Sequence, residues 1–436
     1  MLTAAASESG MWDAAAETMP REQLAELQLA RLRATVDRIL NHQPLGAERL
    51  RRAGITDAGD LGSLDDLASV PFAHKSDLRE HYPFGLLAVP REEIVRVHAS
   101  SGTHGRPTVV GYTRADLDIW TELMARSMMM AGVRPGMLIH NASGYGLFTG
   151  GLGFHQGGEL IGATVVPVSG GQTGRQAMLI RDFGANVLVA TPSYSLVIAQ
   201  ALLDAGVPPE DNRLELGLFG GEPWTEGLRT KIDTALGINA INFYGLSEMC
   251  GPGVATECLT ARDGLHVQED HFLVEVIDPA TSDRVPPNTD GELVFTTLTK
   301  EALPLIRYRT GDLGAIAIEP CACGRTTARL IRLGGRQDDM MIIRGVNLYP
   351  SHIEQILLTV DGVGPHYRLI LERPGPMDEL TLECEPSTLD GDPGSLQQAL
   401  EKNLKEATGV RIAVSVLPPG SVPRSEGKAV RVVDRR

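Results

Sequence analysis

No run of about 18 apolar residues occurs in this chain, so no transmembrane helix is expected. The opening residues, M-L-T-A-A-A-S-E-S-G, lack a basic segment followed by an apolar core, and no signal peptide is expected either. Cysteine is scarce and odd in number, five in 436 residues. That argues against a disulfide framework and points to a reducing cytoplasm. A basic excess is also missing: 40 Lys and Arg against 55 Asp and Glu leave a formal charge of −15. Such a chain suits neither nucleic acid nor a membrane surface, although a local basic pocket for a nucleotide stays open. Internal repeats and low-complexity linkers are absent too. What the chain does have is 42% hydrophobic residues, enough for a large core over two or three domains.

The apolar pattern predicts an α/β fold in three parts. Residues 1–90 read as accessory helices: Arg21 to Asn41 places Leu24, Leu27, Leu32, Val36 and Ile39 close to helical spacing, and Leu61 to Val70 is a shorter segment. From Val95 to about Val276 short apolar runs alternate with helical ones, as in an α/β sheet. Strands are expected at 137–140, 164–168, 187–190, 216–219 and 240–244, with helices at 114–131, 174–183, 194–205 and 225–236. Residues 270–320 turn strand-rich (272–277, 292–297, 304–308, 313–318) and predict a small β-rich subdomain. After Gly334-Gly335-Arg336, about a hundred residues alternate again and read as a compact α+β domain on a hinge.

In an α/β sheet ligands gather at the carboxyl ends of strands, here at Asn141, Ser169, Thr191, Gly220 and Tyr244, and five stretches of the chain carry chemistry. Val97 to Tyr112 reads V-H-A-S-S-G-T-H-G-R-P-T-V-V-G-Y between two predicted strands. Its glycines and hydroxyls suit a polyphosphate, although G-x-x-x-x-G-K-[ST] is absent and a strand follows where a helix would start. Gly220-Gly221-Glu222-Pro223 offers a small-residue surface for a planar base. Phe243-Tyr-Gly-Leu-Ser-Glu248 sets a ring, a hydroxyl and a carboxylate on one turn. Arg307-Tyr-Arg-Thr-Gly-Asp312 ends a strand on a carboxylate able to take both hydroxyls of a ribose, and Gly427-Lys428 supplies a lone lysine near the chain end. Taken singly, each is more simply a turn, a cap or a solvated charge.

Taken in order, these stretches resemble the motif series of the adenylate-forming superfamily, the acyl-CoA synthetases and their relatives. Within it the chain is similar to the phenylacetate-CoA ligase group, through H-A-S-S-G-T-x-G-R-P-T-V-V-G-Y-T, G-Y-G-L-F-T-G-G-L-G, P-V-S-G-G, Y-G-L-S-E, I-R-Y-R-T-G-D-L and D-D-M-M-I-I-R-G-V-N. The resemblance covers nearly everything from Asp65 onward. It implies an ATP-dependent aryl-acid:CoA ligase that forms an aryl adenylate with release of pyrophosphate, then an aryl-CoA thioester with release of AMP. It implies an N-terminal domain over 1–335 that binds ATP and the aryl acid, and a mobile C-terminal domain over 336–436 that carries the catalytic lysine.

By the same resemblance, Ser100, Ser101, Gly102, Thr103, Gly105 and Arg106 hold the pyrophosphate. Tyr244 and the turn Gly220, Gly221, Glu222 and Pro223 sandwich the adenine, Gly245 and Ser247 also bind ATP, Asp312 takes the ribose, and Glu248 holds Mg2+. Arg336 helps fix the ribose and the phosphates, Lys428 bridges the carboxylate and the α-phosphate and balances the charge that builds during displacement, and Asp338 is the hinge. The loop departs from the family habit at His104, where Thr or Ser is usual, and at Arg106, where Lys is common.

An aryl acid is expected among Ser143, Tyr145, Gly146, Phe148, Phe154 and Gln156, with Gly220 on the far side. Ser143 and Gln156 stand where the group has bulkier or phenolic side chains. That leans toward an aryl acid bearing an amino or hydroxyl group, of the anthranilate type, over phenylacetate. Cys321-Ala-Cys323-Gly324 reads as half a metal knuckle, and Cys258 with His266 completes a structural zinc site, with Cys250 or His271 as substitutes. Two alternative functions are loading of a carrier-protein thiol and nucleotide binding without catalysis. Intact Glu248, Asp312, Arg336 and Lys428 argue against the second. The expected partners are thus the aryl acid, ATP and CoA, with a homodimer open.

Overall fold

The computed structural model describes residues 10–100, 107–344, 346–375, 378–387, 392–425 and 428–436. Its frame is one eleven-stranded sheet that changes character halfway across. Strands β3 (Leu138–Asn141), β4 (Thr164–Val166), β5 (Val187–Ala190), β6 (Leu216–Gly220) and β7 (Asn239–Leu246) run parallel in the order β7-β6-β5-β3-β4. These runs are rich in Val, Leu, Ile and Ala and are largely buried, as strands covered by helices on both faces must be.

On the other side of β7 the pairing becomes antiparallel, through β8 (Gly251–Glu257), β9 (Leu265–Val267), β13 (Arg329–Arg336), β12 (Tyr308–Ala317), β11 (Gly291–Thr297) and β10 (Phe272–Ile277). The β-rich subdomain is therefore the antiparallel half of the same sheet. A separate two-stranded sheet, β1 (Arg96–Ser100) with β2 (Thr108–Tyr112), flanks residues 101–106, which lie outside the described residues.

The helices follow from their apolar spacing. Helix α1 (Arg21–His42) buries Leu24, Leu32, Val36 and Ile39, and with α2 (Pro44–Arg52) packs Val36, Ile39 and Leu50 against Leu298 and Ile306 of the antiparallel half. The described part of the first 90 residues is mainly helical and packs in this way. In the α/β half the long helices are α3 (Arg114–Met130), α4 (Gly150–Ile161), α5 (Thr173–Phe183), α6 (Pro192–Asp204) and α7 (Glu226–Leu236).

Helix α4 had no counterpart in the apolar pattern. Four of its five glycines have their backbone pressed onto neighbours: a Cβ on Gly157 would meet Met124 Cβ at 2.6 Å, and one on Gly153 would meet Trp120 at 2.7 Å. Close packing against α3 offsets the low helix propensity of glycine.

A second departure is 304–307, expected as strand. The chain there is irregular until Tyr308, with Arg307 at φ 50° and its guanidinium bound to Glu275 and to the carbonyls of Ala68 and Val70. Satisfying that buried charge overrides the extended pattern.

After β13 a short 3-10 turn, Gln337–Asp339, contains the predicted hinge residue. Beyond it lie the hairpin β14 (Met341–Ile343) with β15 (Val346–Leu348), α8 (Pro350–Leu358), β16 (Val363–Glu372), β17 (Glu379–Pro386), α9 (Pro393–Thr408), β18 (Ala413–Val416) and β19 (Val432–Asp434). The sheet order is β18-β17-β16-β19. Both helices pack into a core of their own, α8 through Ile353 and Leu357, α9 through Leu396, Leu400 and Leu404.

Candidate active site

The parallel strands end where ligands of such sheets sit. At the end of β6, Gly220 and Gly221 are required for two different reasons. A Cβ on Gly220 would lie 2.3 Å from the Phe243 carbonyl, while Gly221 adopts φ 85°. The turn that follows exposes Gly221 and Pro223 and leaves Glu222 half-buried. The Glu222 carboxylate accepts from Ser193 N at 2.7 Å and from Ala429 N at 2.7 Å.

On the neighbouring strand β7, Tyr244 donates its hydroxyl to Asp312 Oδ2 at 2.6 Å. Asp312 pairs across the ladder with Arg336, whose Nη1 lies 3.2 Å from Asp312 Oδ1 and whose Nη2 donates to Thr310 O at 3.0 Å. Burial pushes the Asp312 carboxyl above its usual range, with Arg336 and the Tyr244 hydroxyl opposing.

Gly245 is exposed and Ser247 half-buried on the same strand and turn, and Glu248 is buried beyond them. Glu248 Oε1 accepts from the Tyr308 hydroxyl at 3.1 Å. The turn's carbonyls are held from the other side. Tyr112 Oη donates to Ser247 O and Cys250 O, and Lys300 Nζ donates to Glu248 O at 3.1 Å and Met249 O at 2.6 Å. Burial brings the Lys300 ammonium down to about 8. Tyr308 was available to sequence reading, inside I-R-Y-R-T-G-D. Nothing in the sequence marks Lys300, because its partners are main-chain carbonyls 52 and 51 positions away.

Lys428 stands over this group from the C-terminal segment. Its Cε lies 3.4 Å from where a Cβ would sit on Gly221. Although the residue is exposed overall, crowding around its ammonium and then the Arg336 charge lower its pKa, against the pull of Glu222, Asp312 and Glu248. Thus Glu248, Asp312, Arg336, Glu222 and Lys428, far apart in sequence, form one electrostatic cluster. Ser100 ends β1 with its hydroxyl buried and unpartnered among the described residues. Ser101, Gly102, Thr103, His104, Gly105 and Arg106 lie outside them, as does Gly427. Of Asp338 only the backbone is described.

The predicted acid-binding residues fall on two walls. Phe154 of α4 is buried with its ring 5.0 Å from Phe243, which pairs with Gly220. Tyr145, Gly146 and Phe148 form a loop, with Gly146 at φ 126° and Phe148 exposed. Tyr145 is fixed by Asn141 Nδ2, which donates to its hydroxyl at 2.8 Å, and by His155 Nδ1 at 3.0 Å; His155 Nε2 reaches Glu159 at 3.0 Å. Burial raises the Tyr145 hydroxyl to about 12. Ser143 is tied through its backbone N–H to Asn141 Oδ1. The Gln156 carbonyl accepts from Arg96 Nη1 at 3.0 Å, so its acceptor is already engaged by protein.

The structure brings the four candidate zinc ligands together. Cys258, His266, Cys321 and Cys323 bring their ligand atoms within 4.8 Å of one another. Cys258 Sγ is 3.8 Å from Cys321 Sγ, Cys323 Sγ is 3.4 Å from His266 Nε2, and His266 Nδ1 is engaged by Thr327 Oγ1 at 2.9 Å. Hydrogen bonds from Cys258 and His266 pull the Cys323 thiol down, while Cys258 is pushed up by its Cys323 partner and by burial. The two substitutes are elsewhere: Cys250 lies against Gly251 and Pro252, and His271 is bound to Thr299 and Asp270.

Residues 73–298 match the AMP-binding enzyme family, and residues 345–436 match the AMP-binding enzyme C-terminal domain. The phenylacetate-coenzyme A ligase of Thermus thermophilus is 50% identical over 98% of this chain and 100% of its own. That of Aromatoleum evansii is 47% identical over 96% of each. Among solved structures, 2-hydroxyisobutyryl-CoA ligase in its postadenylation state gives a TM-score of 0.93 at 32% identity, covering 100% of this chain and 94% of that one. The same ligase with CoA in the thioesterification state gives 0.75. The cleft, the two matched regions and the full-length identity agree: the chain belongs to the AMP-binding enzyme family and is an adenylate-forming, phenylacetate-CoA ligase-like acid–thiol ligase.

Proposed function

We propose that this enzyme joins phenylacetate to coenzyme A through phenylacetyl-adenylate. The observation that carries the reading is the convergence of Glu248, Asp312, Arg336 and Lys428 at the carboxyl end of β7. In the first step a carboxylate oxygen of the acid attacks the α-phosphorus of ATP and the bond to pyrophosphate breaks. Two anions must meet, so positioning and charge neutralisation dominate the barrier. Lys428 and Arg336 supply cationic charge to that event. In the second step the CoA sulfur attacks the acyl carbonyl, the acyl–oxygen bond breaks, AMP leaves and the thiol proton passes to solvent.

The remaining residues bind. Asp312 already accepts one hydroxyl, that of Tyr244, and would accept those of the ribose. Gly221, Pro223, Gly245, Ser247 and the Tyr244 ring would bracket the adenine. The Ser100 hydroxyl, unpartnered among the described residues, directly precedes residues 101–106, which are assigned to pyrophosphate. Glu248, a buried carboxylate, fits a hard cation, and Mg2+ bound there would offset charge on the phosphates. The division at residues 335/336, the turn at Asp338 as hinge, and rotation of the lysine-bearing domain between the two steps belong to the same proposal.

Zinc held by Cys258, His266, Cys321 and Cys323 would be structural. For Zn–S bonds near 2.3 Å, tetrahedral ligands stand about 3.8 Å apart, the separation seen between Cys258 and Cys321. His266 turns Nε2 inward because Nδ1 is held by Thr327, the usual support for a metal-bound imidazole.

Phenylacetate replaces the lean toward an aminobenzoate. Relatives matching nearly the whole chain at 47–50% identity are phenylacetate ligases. Gln156 has its carbonyl engaged by Arg96, which weakens the case that it waits for a ring substituent. The test is kcat/KM from pyrophosphate release with phenylacetate, benzoate and 2-aminobenzoate. Phenylacetate is expected to lead benzoate by about tenfold or more, the usual worth of a fitted methylene. A lead for 2-aminobenzoate would refute the assignment.

A further inference from the structure

We infer that Glu222 is a latch that holds the Lys428 segment in the adenylate-forming arrangement; this rests on the ligase reading above. Glu222 belongs to the turn assigned to adenine, yet both its oxygens are taken up by protein. One accepts from Ser193 N, in the first turn of α6, where the helix dipole favours a carboxylate. The other accepts from Ala429 N, the residue next to Lys428. A single carboxylate thus bridges a fixed helix end and the catalytic segment, through two charge-assisted bonds of 2.7 Å.

Three facts make this more than a surface contact. The bond to Ala429 leaves Lys428 lying along Gly221, inside the cluster of Asp312, Arg336 and Glu248. Two further bonds to the C-terminal domain, Thr225 with Glu354 and Lys231 with the Val363 carbonyl, dock its body rather than its lysine. The arrangement also matches the postadenylation state of 2-hydroxyisobutyryl-CoA ligase far better than its thioesterification state, 0.93 against 0.75. A latch of this kind is a positioning device: it favours one domain arrangement by its differential contact with it.

Glu222→Gln tests it. Glutamine keeps one acceptor but turns an NH2 toward the second N–H, so the bridge cannot form. Pyrophosphate release should fall about tenfold, the worth of one charge-assisted bond, with KM for ATP unchanged. Thioester formation from supplied phenylacetyl-adenylate and CoA should stay at or above the wild-type rate, which also reports that the variant is folded. Without any substrate, trypsin should cut after Lys428 severalfold faster than in the wild type. A raised KM for ATP with kcat retained would make Glu222 a nucleotide contact and overturn the latch. Equal losses in both half-reactions, or no loss with unchanged trypsin cleavage, would overturn it as well. Wild-type enzyme releasing no pyrophosphate would refute the ligase reading instead, leaving the trypsin comparison to decide the latch.

Discussion

The knuckle and the cleft are built in opposite ways. Cys258 directly follows β8, His266 lies on β9, and Cys321 and Cys323 lie in the loop before β13, so neighbouring parts of one sheet bring the four candidate ligand atoms together. Arg325 of that loop is further pinned by the buried Glu17 and the Gly10 carbonyl. The cleft takes Glu248 and Tyr244 from one strand and its turn, Asp312 and Arg336 from two more, and Lys428 from a different domain. A site closed within one body can stabilise; a site shared between two bodies can be taken apart, which a two-step reaction needs.

The comparison breaks most visibly at Lys428. Lys428→Ala should slow adenylate formation roughly 100- to 1000-fold, the range for losing one preorganised charge-stabilising group, while transfer from supplied phenylacetyl-adenylate persists. Because the Lys428 pKa is lowered, its charge is lost at a lower pH than an ordinary lysine's. Pyrophosphate release should therefore fall on the alkaline side before the usual lysine range, and that limb should vanish in the variant.

Asp338→Pro sharpens the contrast from the other side. Proline fixes φ near −65° and would restrain a turn that has to rotate. Adenylate should accumulate in rapid-quench samples while phenylacetyl-CoA formation falls by about tenfold or more; normal turnover would remove the hinge.

The smallest effect on activity is expected at the knuckle. Elemental analysis should find zinc, and Cys323→Ser or prolonged chelation should lower Tm by several degrees while kcat of the folded enzyme changes less than twofold. Protein that contains no zinc and melts unchanged after chelation would refute the metal.

Much of this was legible in the sequence for identifiable reasons. Val187–Ala190 is an uninterrupted apolar strand and Phe272–Ile277 is apolar except at Glu275, and the structure reproduces both sets of ends. The C-x-C turn stood out because two thiols so close have few other uses, and the structure brings Cys258 and His266 from the strand region upstream beside it. Helix α4 was hidden because its glycines serve packing against Trp120 and Met124, a reason that lies in α3. The engaged Gln156, the Lys300 contacts and the Glu222 bridge were hidden because each depends on a partner distant in the chain. Residue type points to chemistry, but whether a side chain is already engaged is a property of the fold.

The most direct measurement of the account follows products in order, with enzyme in stoichiometric amounts. Incubated with ATP, Mg2+ and phenylacetate but no CoA, the enzyme should release a burst of pyrophosphate and retain phenylacetyl-adenylate, with no free AMP beyond slow leakage. Adding CoA should then release AMP and phenylacetyl-CoA together. Pyrophosphate that appears only after CoA is added, or ADP as the nucleotide product, would contradict the two-step mechanism.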